Sequence, residues 1–359
     1  MTLTSLSTLI IFGCFSLLLF LFVLLMWSRI FKPGYGNLAI RALTLLLLNF
    51  MIIVTVAIGI NRSQGFFQSW SDLFGTSPTY ENAVTSYNKA ISVENVSKGI
   101  KLKYGYVSLT ETIRGELSNV SNQVTVLLPP SAIADIKQGN LANLQSYEIV
   151  EFLTGFPSQP AMWFKSLDIV NKLNNLSNAK NLKIIGVFPQ VNIEGKFDLE
   201  CMNLPGGHQP AETWLTDDMH RYMSARFGIT NERWNVAGVS TGGWCATLFL
   251  VKRPDLYKGG LSIAGYYQPA LPRSNPQSLQ DEMKIKYELG QFESNLSNKP
   301  SLYIFASLGD TYSIRETKRF LSQPHPNLDL NYQEVNLGGH NSRVWKTAIE
   351  PGLKWLLIH

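Results

Sequence analysis

Ionised side chains are nearly missing from the start of this chain. The first 60 residues contain no Asp or Glu, and Arg29, Lys32 and Arg41 are their only charges. The formal net charge of +5 therefore owes three units to that segment, and residues 61–359 hold 28 basic against 26 acidic side chains. No basic stripe is present, which excludes the electrostatic footprint of a nucleic-acid binder. An internal repeat and a low-complexity tail are also absent. Cysteine is scarce, with three residues in all. Cys14 lies in an apolar run, so Cys201 and Cys245 form the one pair open to a disulfide, two buried unpaired thiols being the alternative. If they pair, closing a loop of about 45 residues contributes roughly 4 kcal/mol in the chain-entropy model.

The missing charge makes two stretches readable. Residues 1–28 carry none and include the apolar run 9–27, while 42–60 is a second uncharged run of 19 residues. Each is long enough to cross a bilayer as a helix. A cleaved signal peptide fits the first run poorly, because a basic n-region and a small-residue cleavage site are lacking and the apolar core is too long. The short loop between the runs holds Arg29, Lys32 and Arg41, which by the positive-inside rule lies in the cytoplasm. Both termini then face outward, which places the protein in the cell membrane as a multi-pass chain with an extracytoplasmic domain. Asn49, within the second run, is expected as a helix-packing contact.

Three regions follow: a two-helix transmembrane anchor at 1–60, a juxtamembrane linker at 61–100, and a folded domain at 101–359. The linker is rich in Ser, Asn and Thr, with a short amphipathic helix expected at 79–91, where Ala83, Val84, Tyr87 and Ile91 share a face. Beyond it the pattern predicts strands at 103–113, 123–128, 147–153, 182–188, 233–239, 259–264, 302–307 and 328–337. Helices are predicted at 161–173, 211–227, 243–252, 313–322 and 342–356. The linker 115–122 suits an antiparallel hairpin, and later strands separated by helices suit parallel pairing. The expected fold is α/β: a mixed, mainly parallel sheet covered by helices on both faces.

One turn in this pattern carries chemistry. Trp234-Asn-Val-Ala-Gly238-Val-Ser240-Thr-Gly242-Gly243 reads as a strand entering a helix through a serine set between glycines, the nucleophile elbow of a serine hydrolase. The sharp turn brings backbones together, so the residues two before and two after the serine must lack bulk. A pentapeptide of this form arises by chance in roughly one chain in ten of this length, so the rest of the chain must decide.

A serine nucleophile needs a base, and the base needs an orienting carboxylate, in the chain order Ser, acid, His. Of the five histidines, only His340 follows a late strand and precedes a terminal helix, behind Gly338 and Gly339. His208 and His220 precede the serine, His325 sits between prolines, and His359 is the last residue. Asp310 closes a β run on Gly309-Asp310, where a carboxylate can hold the imidazole; capping of the next helix is its plainer role. Glu316, Asp329 and Glu334 are weaker rivals. The oxyanion donors are expected from the Thr241 N–H and from Gly155-Phe156-Pro157, where Phe156 has an N–H and Pro157 has none.

These residues resemble the putative-esterase branch of the α/β-hydrolases, which includes esterase D-like enzymes, feruloyl esterases and secreted mycolyltransferases. The resemblance covers roughly residues 104–357, through the Gly-Phe-Pro loop, Asp198-Leu-Glu-Cys-Met-Asn, Gly238-Val-Ser-Thr-Gly-Gly, Arg253-Pro-Asp-Leu-Tyr, Gly309-Asp310 and Gly339-His340 with Trp345. The two-span anchor is similar to that of actinobacterial membrane-tethered members. Thr154 departs from the pattern, since many members have histidine there. The resemblance implies an α/β-hydrolase fold with Ser240 as nucleophile, Asp310 as acid, His340 as base, and Phe156 and Thr241 at the oxyanion. It implies no cofactor and no metal. The expected function is a membrane-anchored serine esterase acting on an acyl ester, with a cell-envelope lipid or glycolipid as a candidate substrate. Acyl transfer to a sugar and a non-catalytic envelope binding protein are the alternatives.

Overall fold

The computed structural model describes residues 3, 5–30, 35–64, 70, 73, 89–195, 197–230, 233–336 and 338–358. The chain divides into two compact units, residues 1–77 and 78–359.

The first unit contains two helices, α1 (Leu6–Ile30) and α2 (Tyr35–Gln64). Within them Leu6–Trp27 and Leu38–Arg62 are long and apolar enough to cross a membrane, with mean hydropathy 3.0 and 2.6. Large side chains such as Leu18, Leu25, Leu43 and Ile53 stand exposed along both. Asn49 is not the contact between them: it is exposed and donates to Leu45 O of its own helix. The polar contact comes instead from Ser16, whose Oγ reaches Met51 O at 3.2 Å and Thr55 Oγ1 at 3.0 Å. A small hydroxyl achieves this because it lets the two backbones approach closely.

The second unit is built on one nine-stranded sheet in the order β1-β2-β3-β5-β4-β6-β7-β8-β9. Its strands are Ile100–Lys101, Val107–Arg114, Ser121–Leu128, Glu148–Leu153, Ile184–Pro189, Trp234–Val239, Tyr257–Ile263, Ser301–Ser307 and Asp329–Val335, numbered β1 to β9. The first three pair antiparallel, as does β3 with β5, and every pair from β5 through β9 is parallel. Helices cover both faces, so the central strands are buried on both sides and appear in the sequence as apolar runs. Along β6 the faces alternate: Trp234 and Val236 join one core layer, Ala237 and Val239 the other. The first layer includes Trp214, Tyr222, Trp244 and Phe249; the second holds Trp163, Phe152, Phe188 and Leu353.

Several boundaries differ from expectation for local reasons. The expected strand at 103–113 begins only at Val107, because a 3-10 turn at Lys103–Gly105 places Tyr104 at φ 58. The helix expected at 161–173 is two, Ala161–Lys165 and Ile169–Lys180, broken where Asp168 takes φ 56. Residues 211–227 stay helical but pass through a π-turn at Trp214–Asp218. Helices Val93–Lys98, Pro130–Lys137, Gln277–Lys286 and Leu289–Glu293 were not anticipated. Most of the helix expected at 79–91 lies outside the described residues, and its described end, 89–91, is not helical. Packing of the second unit begins ahead of residue 101, since Ile91 and Val96 belong to its core.

Candidate active site

The sheet changes winding direction between β4 and β6: β5 lies on one side of β4, and β6 to β9 follow in order on the other. In open α/β sheets the crevice beyond the strand carboxyl ends at such a switch is where ligands bind. Leu153 pairs with Gly238 at those ends, so the loop after β4 and the turn after β6 emerge side by side.

Ser240 occupies that turn at φ 57, ψ −121, a backbone conformation uncommon for a residue with a side chain. Its N–H is held by Ile263 O at 2.9 Å, and its own carbonyl accepts from Gly243 and Trp244 at the start of helix Thr241–Lys252. The glycines are required by contact. A Cβ on Gly238 would collide with Gly242 O, and one on Gly242 with Leu153 O. Gly155 meets the serine itself, since a Cβ there would lie 2.8 Å from Ser240 Cβ.

Three loops at the carboxyl edge bring Ser240, His340 and Asp310 together. His340 Nε2 stands 2.8 Å from Ser240 Oγ, and its Nδ1 stands 2.5 Å from Asp310 Oδ2. Asp310 is 5% exposed and His340 40%, so the carboxylate is sequestered while the imidazole faces the crevice. The other oxygen of Asp310 accepts the Ser313 N–H at 3.2 Å, capping helix Thr311–Leu321. The capping and orienting roles thus coexist, one per oxygen. Ser307 Oγ donates to Gly338 O at 2.8 Å and ties down the loop leading to His340. Trp345 sets its ring edge-on to the imidazole, with centroids 4.8 Å apart.

The rival residues lie elsewhere. Glu316 pairs with Arg315 at 3.0 Å, Glu334 bonds Tyr332 and Lys318, and Asp329 reaches Ser301. His208 pairs with Glu194, His325 with Glu293, and His220 stacks on Trp234; His359 lies outside the described residues.

Phe156 follows Gly155 in the loop that abuts the serine, and Thr241 begins the helix after it. Among the described residues neither N–H has an acceptor within the chain. Thr154, at the departure from the family pattern, is buried and donates to Ser158 O at 3.1 Å. Asn192 donates to the same carbonyl at 2.7 Å, so the two side chains close the 154–158 turn. Asn192 was not foreseen, and nothing local in the sequence marks it. The structure also joins Cys201 to Cys245, with Cα atoms 5.8 Å apart.

An imidazole held at Nδ1 by a buried carboxylate presents Nε2 as a proton acceptor toward a hydroxyl. Two unengaged N–H groups beside that hydroxyl, one at a helix N-terminus, offer a place for negative charge.

Comparison with solved structures identifies the scaffold. A ferulic acid esterase superposes with TM-score 0.56 at 17% sequence identity, over 70% of this chain and 97% of that one. An S-formylglutathione hydrolase from Agrobacterium tumefaciens gives TM-score 0.56 at 15% identity, over 71% and 96%. The chain has the α/β-hydrolase fold. No family model matches it. An uncharacterised protein of Corynebacterium glutamicum is 20% identical over 222 residues, 58% of this chain and 52% of that protein. The chain therefore spans about half the length of that relative.

Proposed function

We propose that the protein is a serine esterase whose catalytic triad is Ser240, His340 and Asp310. The observation that carries this reading is the continuous contact from Asp310 Oδ2 through both imidazole nitrogens to Ser240 Oγ, at 2.5 and 2.8 Å. Ser240 Oγ attacks the ester carbonyl as His340 Nε2 takes its proton. The carbonyl oxygen becomes an oxyanion facing the Phe156 and Thr241 N–H groups. Collapse breaks the bond to the alcohol, which leaves with the proton from His340, and Ser240 remains acylated. Water then enters by the same route in reverse, His340 removing its proton, and releases the acid. The fold of the two solved enzymes supports ester chemistry without specifying the acyl group or the alcohol. Transfer to a sugar shares the acyl-enzyme and differs only in what resolves it, so product analysis with and without sugar acceptors separates the two reactions.

The apolar helices α1 and α2 anchor the enzyme in the membrane. The loop with Arg29 and Lys32, and Arg41 just beyond it, stays on the cytoplasmic side, which puts residues 61–359 outside. A candidate substrate in that setting is an acyl ester of a cell-envelope lipid or glycolipid.

The test is exposure of the full chain to a fluorophosphonate followed by peptide mass spectrometry. One adduct on Ser240 is expected, together with turnover of acyl esters, and Ser240→Ala should lose both. Folded protein that takes no label and hydrolyses no ester would leave a binding scaffold as the better description.

A further inference from the structure

Thr241, Trp244 and Cys245 are spaced i, i+3, i+4 and so share one face of the helix that follows the nucleophile. All three are fastened to a single short strap, residues 198–201. Thr241 Oγ1 donates to Asp198 Oδ2 at 3.3 Å, Trp244 Nε1 donates to Glu200 O at 3.1 Å, and Cys245 is bonded to Cys201. The strap is itself constrained. The Glu200 N–H bonds Asp198 Oδ1 at 2.9 Å, and Glu200 and Cys201 both take left-handed backbone at φ 52 and 57.

Beneath the strap the Glu200 carboxyl is buried, receiving the Tyr266 O–H at 2.8 Å and the Ala270 N–H at 2.9 Å. Tyr266 Oη also lies 3.3 Å from Thr241 Oγ1, so strap, tyrosine and threonine form one closed network. Burial, with the neighbouring Asp198 acting in the same direction, pushes Glu200 well above the usual carboxylate range. Asp198 is also raised, chiefly by burial. Buried carboxylates are costly unless hydrogen bonds offset the lost hydration, and here each accepts two.

The helix turn so fastened is the one that delivers an oxyanion donor. Gly242 presses the same turn against Leu153 O, so strap and oxyanion loop hold it between them. We propose that the strap is a positioning element for the reaction: Asp198, Glu200 and Tyr266, with the Cys201–Cys245 disulfide, aim the Thr241 N–H at the charge that develops on the substrate carbonyl. This rests on the esterase reading above. Their contacts run to Thr241, and their effect on the reaction passes through it.

The experiment compares the full-length protein with Tyr266→Phe, Asp198→Ala and the double variant Cys201→Ser/Cys245→Ser. Tyr266→Phe is the cleanest, because it deletes one hydroxyl and keeps the ring stacked on Trp244. Fluorophosphonate titration counts competent serines, and kcat and KM for p-nitrophenyl acetate are then expressed per labelled site. Removal of an oxyanion donor costs about a hundredfold or more in kcat, so misaiming one should cost about tenfold per labelled serine. KM should stay within about twofold, because the interaction strengthens only as the oxyanion forms. A purely structural strap would instead lower the labelled fraction and leave kcat per labelled site unchanged, and that result would overturn the proposal. Wild-type kcat per site in both Tyr266→Phe and Asp198→Ala would do the same. If Asp198→Ala does not fold, Tyr266→Phe decides alone. Wild-type protein that takes no label removes the esterase reading and this proposal together, whereas labelled wild type with unaffected variants removes only the strap.

Discussion

Asp310→Asn should separate the fold from the chemistry, because two donors compete for what the substitution leaves behind. In the native site Oδ2 receives the His340 Nδ1–H and Oδ1 receives the Ser313 N–H, both in a side chain only 5% exposed. Asparagine offers one oxygen. If that oxygen faces His340, the amide NH2 is aimed at the Ser313 N–H, and a buried donor left without an acceptor costs about 1–3 kcal/mol. If it faces Ser313, the helix cap survives and the NH2 points at Nδ1, which must then be unprotonated. The second arrangement is favoured, and it moves the imidazole proton to Nε2, opposite Ser240 Oγ, where it can no longer accept. A base in the wrong tautomer loses on the order of 10⁴ in kcat, about 5 kcal/mol at 1.36 kcal/mol per decade. Thermal stability should change little, since the cap remains. Asp310→Ala should be comparably inactive but less stable by about 1 kcal/mol through the lost cap. Turnover of p-nitrophenyl acetate and calorimetric melting of both variants measure the two effects. An Asp310→Asn protein retaining a tenth or more of wild-type kcat would refute the assignment, and equal melting temperatures for Asn and Ala would refute the division of labour between the two oxygens.

Stability should also depend on pH through Glu151, which is fully buried and pushed up to about 8 by that burial. Between about 4.5 and 8 the unfolded chain releases a proton that the native state keeps, so this residue's contribution falls as pH rises. Glu151→Gln should therefore gain on wild type between pH 5 and pH 8.5 by up to a few kcal/mol, and a pH-independent difference in denaturant unfolding would contradict it. His220 acts oppositely: burial, with Arg253 nearby, lowers it to about 3, so stability is lost as pH falls from about 6.5 toward 3. His220→Phe should flatten that acid limb. For topology, a reporter fused after His359 should work only if it is one that functions outside the membrane, and strong activity from a cytoplasm-restricted reporter would reverse the orientation.

Much of the fold was legible because central strands buried on both faces leave apolar runs, and all eight expected strands exist with edges moved by a few residues. The helices that escaped notice were short or had little apolar stripe to announce them. Gln277–Lys286 buries only Met283, and Pro130–Lys137 has just eight residues. A left-handed residue such as Asp168 divides a helix without any Gly or Pro to mark the break.

Sequence alone determined the elbow, since a serine between Gly238 and Gly242 is what the close approach of strand and helix requires, and chain order narrowed the candidate bases to His340. It also determined the two long apolar helices, because length and missing charge suffice for that. Tertiary structure decided that Asp310, and not Glu316, Asp329 or Glu334, lies against His340, that Cys201 joins Cys245, and that Thr154 and Asn192 converge on Ser158 O. The reason is physical. His340 stands 100 residues from Ser240 and 30 from Asp310, and contacts over such separations are set by sheet register and strand order, which no local periodicity encodes.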